Sequence, residues 1–594
     1  MTDPRAEYDR RLAAWRTRIA ELDRTHLFMS NGRLLLAGIG AVLLWMAFVR
    51  ASISGWLPLA AWLAFGALAV AHARLLNRAD RARRAETVYV RGLDRLSGCW
   101  PGTGRDGAHF IDGHPYARDL DLFGRASLFE LLNTARTEAG EATLADWLRA
   151  GATIPEVVAR QGAVDELKPK LDLREDVAVL AAESGVGRTG VLASWAASAP
   201  PDFPRALGGV LATVAAITLT LSVATFYGVL EPGWILAWIL AGQAFASIWR
   251  KRLHRILHAI ETPERDLALL VDLLLRVERE HFTSARLSSL QQALLTDGAP
   301  PSKRIAQLRT LVSWIDSTQN LLFAPFAYVL LLREQLAVAI VGWHRRYGSA
   351  VGEWLRIVGE LEALAAMGTY AYERPVDPFP VLVEEGPLFD ADGLRHPLIP
   401  DNTSVPNDVR LGGLGWPTVL IVSGSNMSGK STLLRSVGIN VVLALSGGPV
   451  RASRIRLSPL VLGATLRIED SLEAGISRFY AEILRIRAIV DTARGPVPLL
   501  FLLDEILHGT NSYDRRIGAE AIARALVAAG AIGLVTTHDL ALTELAVKLG
   551  SAAVNMHFED RLENGVMVFD YLMRPGVVEH SNALALMRAI GLDV

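Results

Sequence analysis

The chain is almost without cysteine, with Cys99 its one copy in 594 residues. That excludes an intrachain disulfide and a cysteine-based zinc site, and it suits a reducing compartment. Neither charge is in excess: 61 Lys+Arg stand against 62 Asp+Glu, a formal net charge of −1. No global field therefore draws the chain to nucleic acid, although a local basic patch stays open. The first thirty residues are charged and lack the apolar core of a secretory leader. There is no low-complexity segment and no internal repeat beyond two apolar hairpins.

Apolar sequence is what the chain does have, at 51% hydrophobic residues and a mean hydropathy of +0.27. Four runs, 34–49, 56–73, 206–230 and 232–249, contain almost no charge. They cover roughly 24 to 37 Å as helix, against a hydrocarbon core of about 30 Å. Short connections join them in pairs, predicting two transmembrane helical hairpins at 34–73 and 206–249. Arg5, Arg10, Arg11, Arg16, Arg18, Arg24 and Arg33 precede the first hairpin. Arg74, Arg78, Arg81, Arg83 and Arg84 follow it, and Arg250, Lys251, Arg252 and Arg255 follow the second. The turns within the hairpins hold only Arg50 and Glu231. The positive-inside rule then places both turns outside and both termini in the cytoplasm of a multi-pass protein of the cell (plasma or inner) membrane. A fifth run, 321–332, is too short to span and is expected to be a buried helix.

The remainder divides by pattern. Residues 1–33 read as a basic cytoplasmic tail and 74–124 as a cytoplasmic linker. Residues 125–205 and 250–378 are helical in period and are read as two parts of one all-α core. From 379 to 594, β-branched runs alternate with helical stretches, which predicts a C-terminal α/β domain with a largely parallel sheet.

Within that domain, Gly424-x-x-x-x-Gly429-Lys430-Ser431 fits the phosphate-loop pattern, between an apolar strand-like run and a helical run. Such a loop presents backbone N–H groups and a helix N-terminus to phosphate. Gly424, Ser425, Asn426, Met427, Ser428, Gly429, Lys430, Ser431 and Thr432 are the expected nucleotide-binding residues. Lys430 would reach the β- and γ-phosphates, and the Ser431 hydroxyl would ligate Mg²⁺. "PLLFLLDE" (498–505) is a buried-strand pattern ending in two acids. Asp504 is the expected second Mg²⁺ contact, and Glu505 the residue that orients or deprotonates the attacking water. "GLVTTHD" puts His538 at another strand end, placed to hydrogen-bond the γ-phosphate.

"GSNMSGKSTLLRSVGIN", "LLDEILHGTNSYDR" and "TTHD" together resemble the ATPase domain of the DNA mismatch-repair MutS family, a branch of the ABC ATPases. "RHPLIPDNTSVPNDVRL" resembles the segment leading into the loop, and "GISRFYAEILRI" that family's equivalent of the ABC signature. "HSNALALMRAIGLDV" resembles the closing helix, and "SLFELLNTARTEAGEATLADWLRAGATIPEVVARQGAVDEL" the start of the helical core. The resemblance implies ATP and Mg²⁺ as ligands and a homodimer closing on two nucleotides. Ser477 would contact the γ-phosphate bound by the second subunit, with 508–512 at the same face. Val405, Pro406 and Asn407 would border the adenine.

The departures are as informative. No mismatch-reading domain precedes the core. Leu128–Glu130 is a poor substitute for the family's Phe-x-Glu wedge, because it sits in an amphipathic helix. Ser425 replaces the proline after the first glycine, and the second hairpin interrupts the core. These features are those expected of a membrane-anchored offshoot whose ATP cycle drives a clamp-like change, with DNA as a candidate partner and the bilayer as the expected neighbour of the hairpins. An ABC-like transport ATPase or an ATP-gated membrane scaffold is the alternative.

Overall fold

The computed structural model describes residues 3–50, 52–182, 189–199, 203–204, 206–260, 264–296, 298–320, 323–425, 427–467, 478–507, 509–563 and 566–578. Two long helices open the chain, α1 (Pro4–Phe48) and α2 (Trp56–Ser97). Residues expected as a tail and the first part of a linker are instead charged helical arms of the first hairpin, continuous with its apolar halves. The arms pair antiparallel. Tyr8 and Tyr89 meet edge to face at 5.5 Å, Arg16 Nε reaches Glu86 at 2.9 Å, and Arg83 reaches Asp23 at 2.8 Å. His26 meets His72 at 2.8 Å, and the Trp62 ring packs over Gly40. The arginines of this tail are therefore largely engaged in the stalk: Arg10 and Arg11 pair with Glu7, Arg11 also with Asp172, and Arg18 with Glu21.

The helical body begins with α3 (Leu128–Leu132), α4 (Glu138–Arg149), α5 (Ile154–Leu167), α6 (Leu171–Ala182) and α7 (Thr189–Ala197). The single amphipathic helix expected from Ser127 onward breaks at 133–137, because Ser127 and Thr137 each cap a separate helix with the side-chain oxygen. Phe129 is wholly buried, and the Glu130 carboxylate accepts the N–H groups of Gly102, Gly104 and Ala126. Both are packing roles, as expected for this segment.

The second hairpin is α8 (Leu207–Phe226) and α9 (Pro232–Ile260). Hydroxyls of Thr213, Thr218, Thr220, Ser222 and Thr225 each donate to the carbonyl four residues back. That hides polar atoms within an otherwise apolar helix. Trp238 Nε1 donates to Thr218 Oγ1 at 3.1 Å and ties the two helices together.

The body continues with α10 (Glu264–Glu278), α11 (Ala285–Ala293), α12 (Pro301–Ser317), α13 (Ala324–Val329) and α14 (Leu332–Glu373). The 321–332 run is not the buried helix expected. Pro325 opens the short α13, and Leu331 at φ 52° separates it from α14. Phe326 and Tyr328 stay 66% and 55% exposed beside the second hairpin, where Gln243 donates to the Tyr328 carbonyl.

The 42 residues of α14 make it about 63 Å long. Near its start Glu334 pairs with Arg250 at 3.2 Å, and at its end Glu373 takes Arg95 Nε at 2.8 Å. The same helix thus touches the second hairpin at one end and the stalk of the first at the other. Glu362, fully enclosed on α14, accepts the Arg136 N–H at 3.0 Å and the Thr137 hydroxyl. Burial pushes its carboxyl up to about 7, the hydrogen bonds opposing. An acid whose folded pKa lies above its unfolded value loses stability as pH rises between the two. Melting of the wild type is therefore expected to fall between about pH 5 and 7 relative to Glu362→Gln. The variant should gain on the order of 2–3 kcal/mol at pH 8, read by parallel melts across that range.

Two sheets complete the chain. The smaller has order β1 (Val381–Leu382), β5 (Arg454–Leu457), β2 (Leu388–Leu394), β3 (Asn407–Gly412). The larger has order β10 (Val566–Pro575), β9 (Ala553–Glu563), β4 (Val419–Ser423), β8 (Ile532–Thr537), β7 (Leu499–Asp504), β6 (Val461–Thr465). Every neighbouring pair in the larger sheet is parallel except β10 with β9. Helix α15 (Lys430–Ser446) packs between one face and the helical body. On the other face lie α16 (Arg478–Thr492), α17 (Ser512–Ala528) and α18 (Glu544–Leu549). One hydrophobic core runs from Trp100 through α14 and α15 to Phe558, joining helical body and sheet.

Candidate nucleotide site

The parallel register brings three strand ends into one row. Ser423 on β4 pairs with Thr537 on β8, and Asp504 on β7 pairs with Thr536 on β8. Clefts for ligands form at such carboxyl ends, where the chain leaves the sheet on either side.

From β4 the chain turns through Gly424 at φ 150° and Gly429 at φ 103° before entering α15. A Cβ on Gly429 would stand 3.1 Å from the Tyr571 ring, and one on Gly424 would stand 2.8 Å from Ser428 Oγ. Only glycine fits both positions. The first N–H bonded within α15 is that of Leu433, to the Gly429 carbonyl at 3.0 Å. Among the described residues, the donors of Lys430, Ser431 and Thr432 are thus left at the mouth of the loop, at the positive end of the helix dipole. Lys430 is buried and folds back, its Nζ 2.8 Å from the Gly424 carbonyl and 2.7 Å from that of Ser425. Burial lowers the pKa of this amine, and the nearby Glu505, Asp504 and Asp560 oppose the shift. Among the described residues, the buried Ser425 hydroxyl has no hydrogen-bond partner, while Met427 is 74% exposed.

Glu505 adopts φ 47°, a left-handed conformation that costs a non-glycine residue about 1–3 kcal/mol. Its N–H donates to both the carbonyl and the hydroxyl of Thr536, each at 3.2 Å. The same hydroxyl donates to Asp504. The Glu505 carboxylate lies 3.2 Å from His538 Nδ1 and 3.9 Å from Lys430 Nζ. Strained backbone thus aims one acid at the loop lysine and the strand-end histidine together.

Beside the loop opens a cleft of about 450 Å³, lined among others by His396, Val405, Asn407, Thr432, Phe558 and Tyr571. Its size suits a small organic ligand. Burial, then the Arg435 charge, holds the His396 imidazole down to about 4, so it is neutral at pH 7. Asn407 lies in the wall, but its amide is taken: it donates to the Tyr571 carbonyl at 3.0 Å and accepts the Met573 N–H at 2.7 Å. Its role in the structure is to hold β10 over the cleft.

Of the residues expected from sequence, Gly424, Ser425, Met427, Ser428, Gly429, Lys430, Ser431, Thr432, Asp504, Glu505 and His538 converge here. Asn426, Ser477, His508 and the 580–594 segment lie outside the described residues. Thr536 was missed, although it stands inside the "TTHD" stretch. His396 was not singled out, although it stands in the 395–411 stretch read as leading into the loop; Phe558 and Tyr571 were missed because nothing near them in the chain marks a ligand.

Residues 420–593 match the family described as MutS domain V. The chain is 32% identical over 271 residues to the DNA mismatch repair protein MutS of Natronomonas pharaonis, covering 44% of this chain and 29% of that protein. MutS of Thermus aquaticus is 32% identical over 255 residues, covering 42% and 29%. The DNA mismatch repair protein MutS 2 of Halobacterium salinarum is 31% identical over 261 residues, again covering 42% and 29%. The chain spans less than a third of the length of these relatives. The segment that carries the glycine-rich loop, the acidic pair and the strand-end histidine is similar to MutS domain V, and both hairpins lie outside that match.

Proposed function

We propose that the chain is a membrane-anchored ATPase whose C-terminal domain binds ATP as a dimer and passes the resulting movement to the helical body and hairpins. The observation that carries this reading is the convergence of Lys430, Asp504, Glu505 and His538 around one glycine-bounded helix N-terminus. ATP phosphates would replace the Gly424 and Ser425 carbonyls on Lys430 and take the free donors of α15, with the base in the cleft beside Tyr571. Glu505 would accept a proton from the attacking water, and His538 would hold that carboxylate in place. The Ser431 hydroxyl and Asp504 carboxylate form an all-oxygen donor set suited to Mg²⁺, which when bound neutralises phosphate charge.

Anchoring rests on the exposed apolar band. Among the described residues, four helices are long and apolar enough to cross a membrane, with between 6% and 17% of each apolar window buried. Trp45, Trp56, Phe226 and Trp234 are exposed toward the outer turns, matching the aromatic belt of an interface. Exposed Phe326 and Tyr328 of α13 continue the band on the inner side. Helix α14 touches both hairpins and leads into the C-terminal domain, so it is the natural lever.

The test is ATP hydrolysis by the detergent-solubilised full chain with Mg²⁺, alone and with homoduplex, mismatched and branched DNA. Hydrolysis is expected without DNA. Stimulation by one DNA form at low salt would extend the proposal to a DNA clamp, and no hydrolysis in any arm would end it. Thr536→Val is expected to lower kcat about tenfold with ATP affinity little changed, because a hydrogen bond to a carboxylate contributes about 1.5–3 kcal/mol. Steady-state hydrolysis and a nucleotide titration check it.

A further inference from the structure

A cavity of about 60 Å³ lies away from the nucleotide site, walled by α1, α2, the 100–104 loop, the approach to α4, α6 and α14. Four arginines line it: Arg91 and Arg95 from α2, Arg136 before α4, and Arg174 from α6. Two of them are engaged. Arg95 pairs with Glu373, and Arg174 donates to Thr369 Oγ1 at 2.8 Å and to the Lys168 carbonyl at 2.9 Å. Among the described residues, the guanidiniums of Arg91 and Arg136 make no ion pair or hydrogen bond; the opposite charges in range are Asp94 for Arg91 and Glu141 for Arg136, and Glu141 is already taken by Arg105 and Asn133.

The acids in the wall are committed elsewhere. Glu130 holds three backbone N–H groups, Glu175 accepts from Tyr89, and Glu362 accepts from Arg136 N–H and Thr137. Burial first, then the charges of Arg91, Arg105 and Arg95, lower the Arg136 pKa to about 10, with Glu141 opposing, so it remains a cation at neutral pH beside three other arginines. A half-buried pair of like charges is costly unless an anion joins it.

We propose that this cavity binds a tetrahedral oxyanion, the phosphate group of a soluble ligand, between the Arg91 and Arg136 guanidiniums. The planar fork of each guanidinium matches two phosphate oxygens. One water needs about 10–15 Å³ of such space, so the cavity takes about four to six, close to the five heavy atoms of phosphate. Lipid headgroups are out of reach, because Arg91 lies 18 residues beyond position 73, about 27 Å along α2. Walls from several elements also shut out a nucleic-acid duplex. Occupancy would clamp the stalk onto α14, linking a cytoplasmic phosphate compound to the lever.

The test is thermal melting of the detergent-solubilised full chain in inorganic phosphate against chloride at equal ionic strength. A rise of about 2 °C or more is expected at saturating phosphate. Lys430→Ala should keep that rise, whereas Arg91→Gln and Arg136→Gln should each lose it. Without phosphate, Arg136→Gln should melt at or above the wild type, since a like-charge repulsion is gone. Glycerol 3-phosphate run in parallel separates the sources: a rise equal to or above that of phosphate assigns a phosphate ester, a smaller one the free anion. A rise that survives both arginine substitutions, that vanishes with Lys430→Ala, or that needs anionic lipid vesicles would overturn the proposal. So would no rise at all.

Discussion

Lys430→Ala is expected to abolish ATP turnover, with a loss of about a thousandfold or more. The amine does two things at once. It is buried against the Gly424 and Ser425 carbonyls, which pins the loop around the helix N-terminus. It is also the cation best placed to meet phosphate, because burial has stripped its water and only partial compensation comes from Glu505 at 3.9 Å. Charge complementarity in such a water-poor site is worth about 2.7–4 kcal/mol per well-placed donor, or ~10²–10³ in rate. Loss of the loop pin adds to that. The measurement is steady-state hydrolysis with a nucleotide titration, and melting shows whether the fold survives. Turnover within tenfold of wild type would remove Lys430 from the mechanism.

Glu505→Ala should separate binding from chemistry. Its carboxylate is half-buried and reaches His538 at 3.2 Å, while its backbone is fixed by Thr536 whatever the side chain. Removal therefore spares the loop and the α15 donors. ATP affinity is expected to change no more than about threefold, while hydrolysis falls about 10²–10⁴-fold, the usual contribution of a positioned general base. With hydrolysis blocked, the ATP-bound state should accumulate as a dimer in size-exclusion chromatography with light scattering. Glu505→Gln keeps the volume and a hydrogen bond to His538 and should behave alike if proton acceptance is what matters. A monomer under saturating ATP in both variants would contradict ATP-driven dimer closure.

Much of this was legible in the chain. The four apolar runs stood out by length and lack of charge, and each lies in a helix long and apolar enough to cross a membrane. The glycine spacing of 424–431 and the strand patterns before Asp504 and His538 were equally plain. All are short-range signals, written within ten to twenty-five residues. Boundaries were less legible. The arms of α1 and α2 are charged and so read as tail and linker. They are helical because each arm has the other to pair with, through Tyr8–Tyr89, Arg16–Glu86 and Asp23–Arg83. The 321–332 run misled in the opposite sense, since hydrophobicity alone does not tell burial in protein from an exposed place beside an apolar hairpin.

Local pattern was thus enough for the four long apolar helices, the α/β character of the C-terminal domain and the glycine-bounded loop with its acidic pair and strand-end histidine. Long-range packing alone produced the rest. Thr536 joins Asp504 to Glu505 only because β8 lies between β4 and β7, out of chain order. His396, Asn407 and Tyr571 share a cleft although they come from distant segments, and the Arg91–Arg136 cavity needs several elements to close. Contacts between segments far apart in sequence leave no periodic trace in either one. They exist only once burial of the shared core has drawn those segments together.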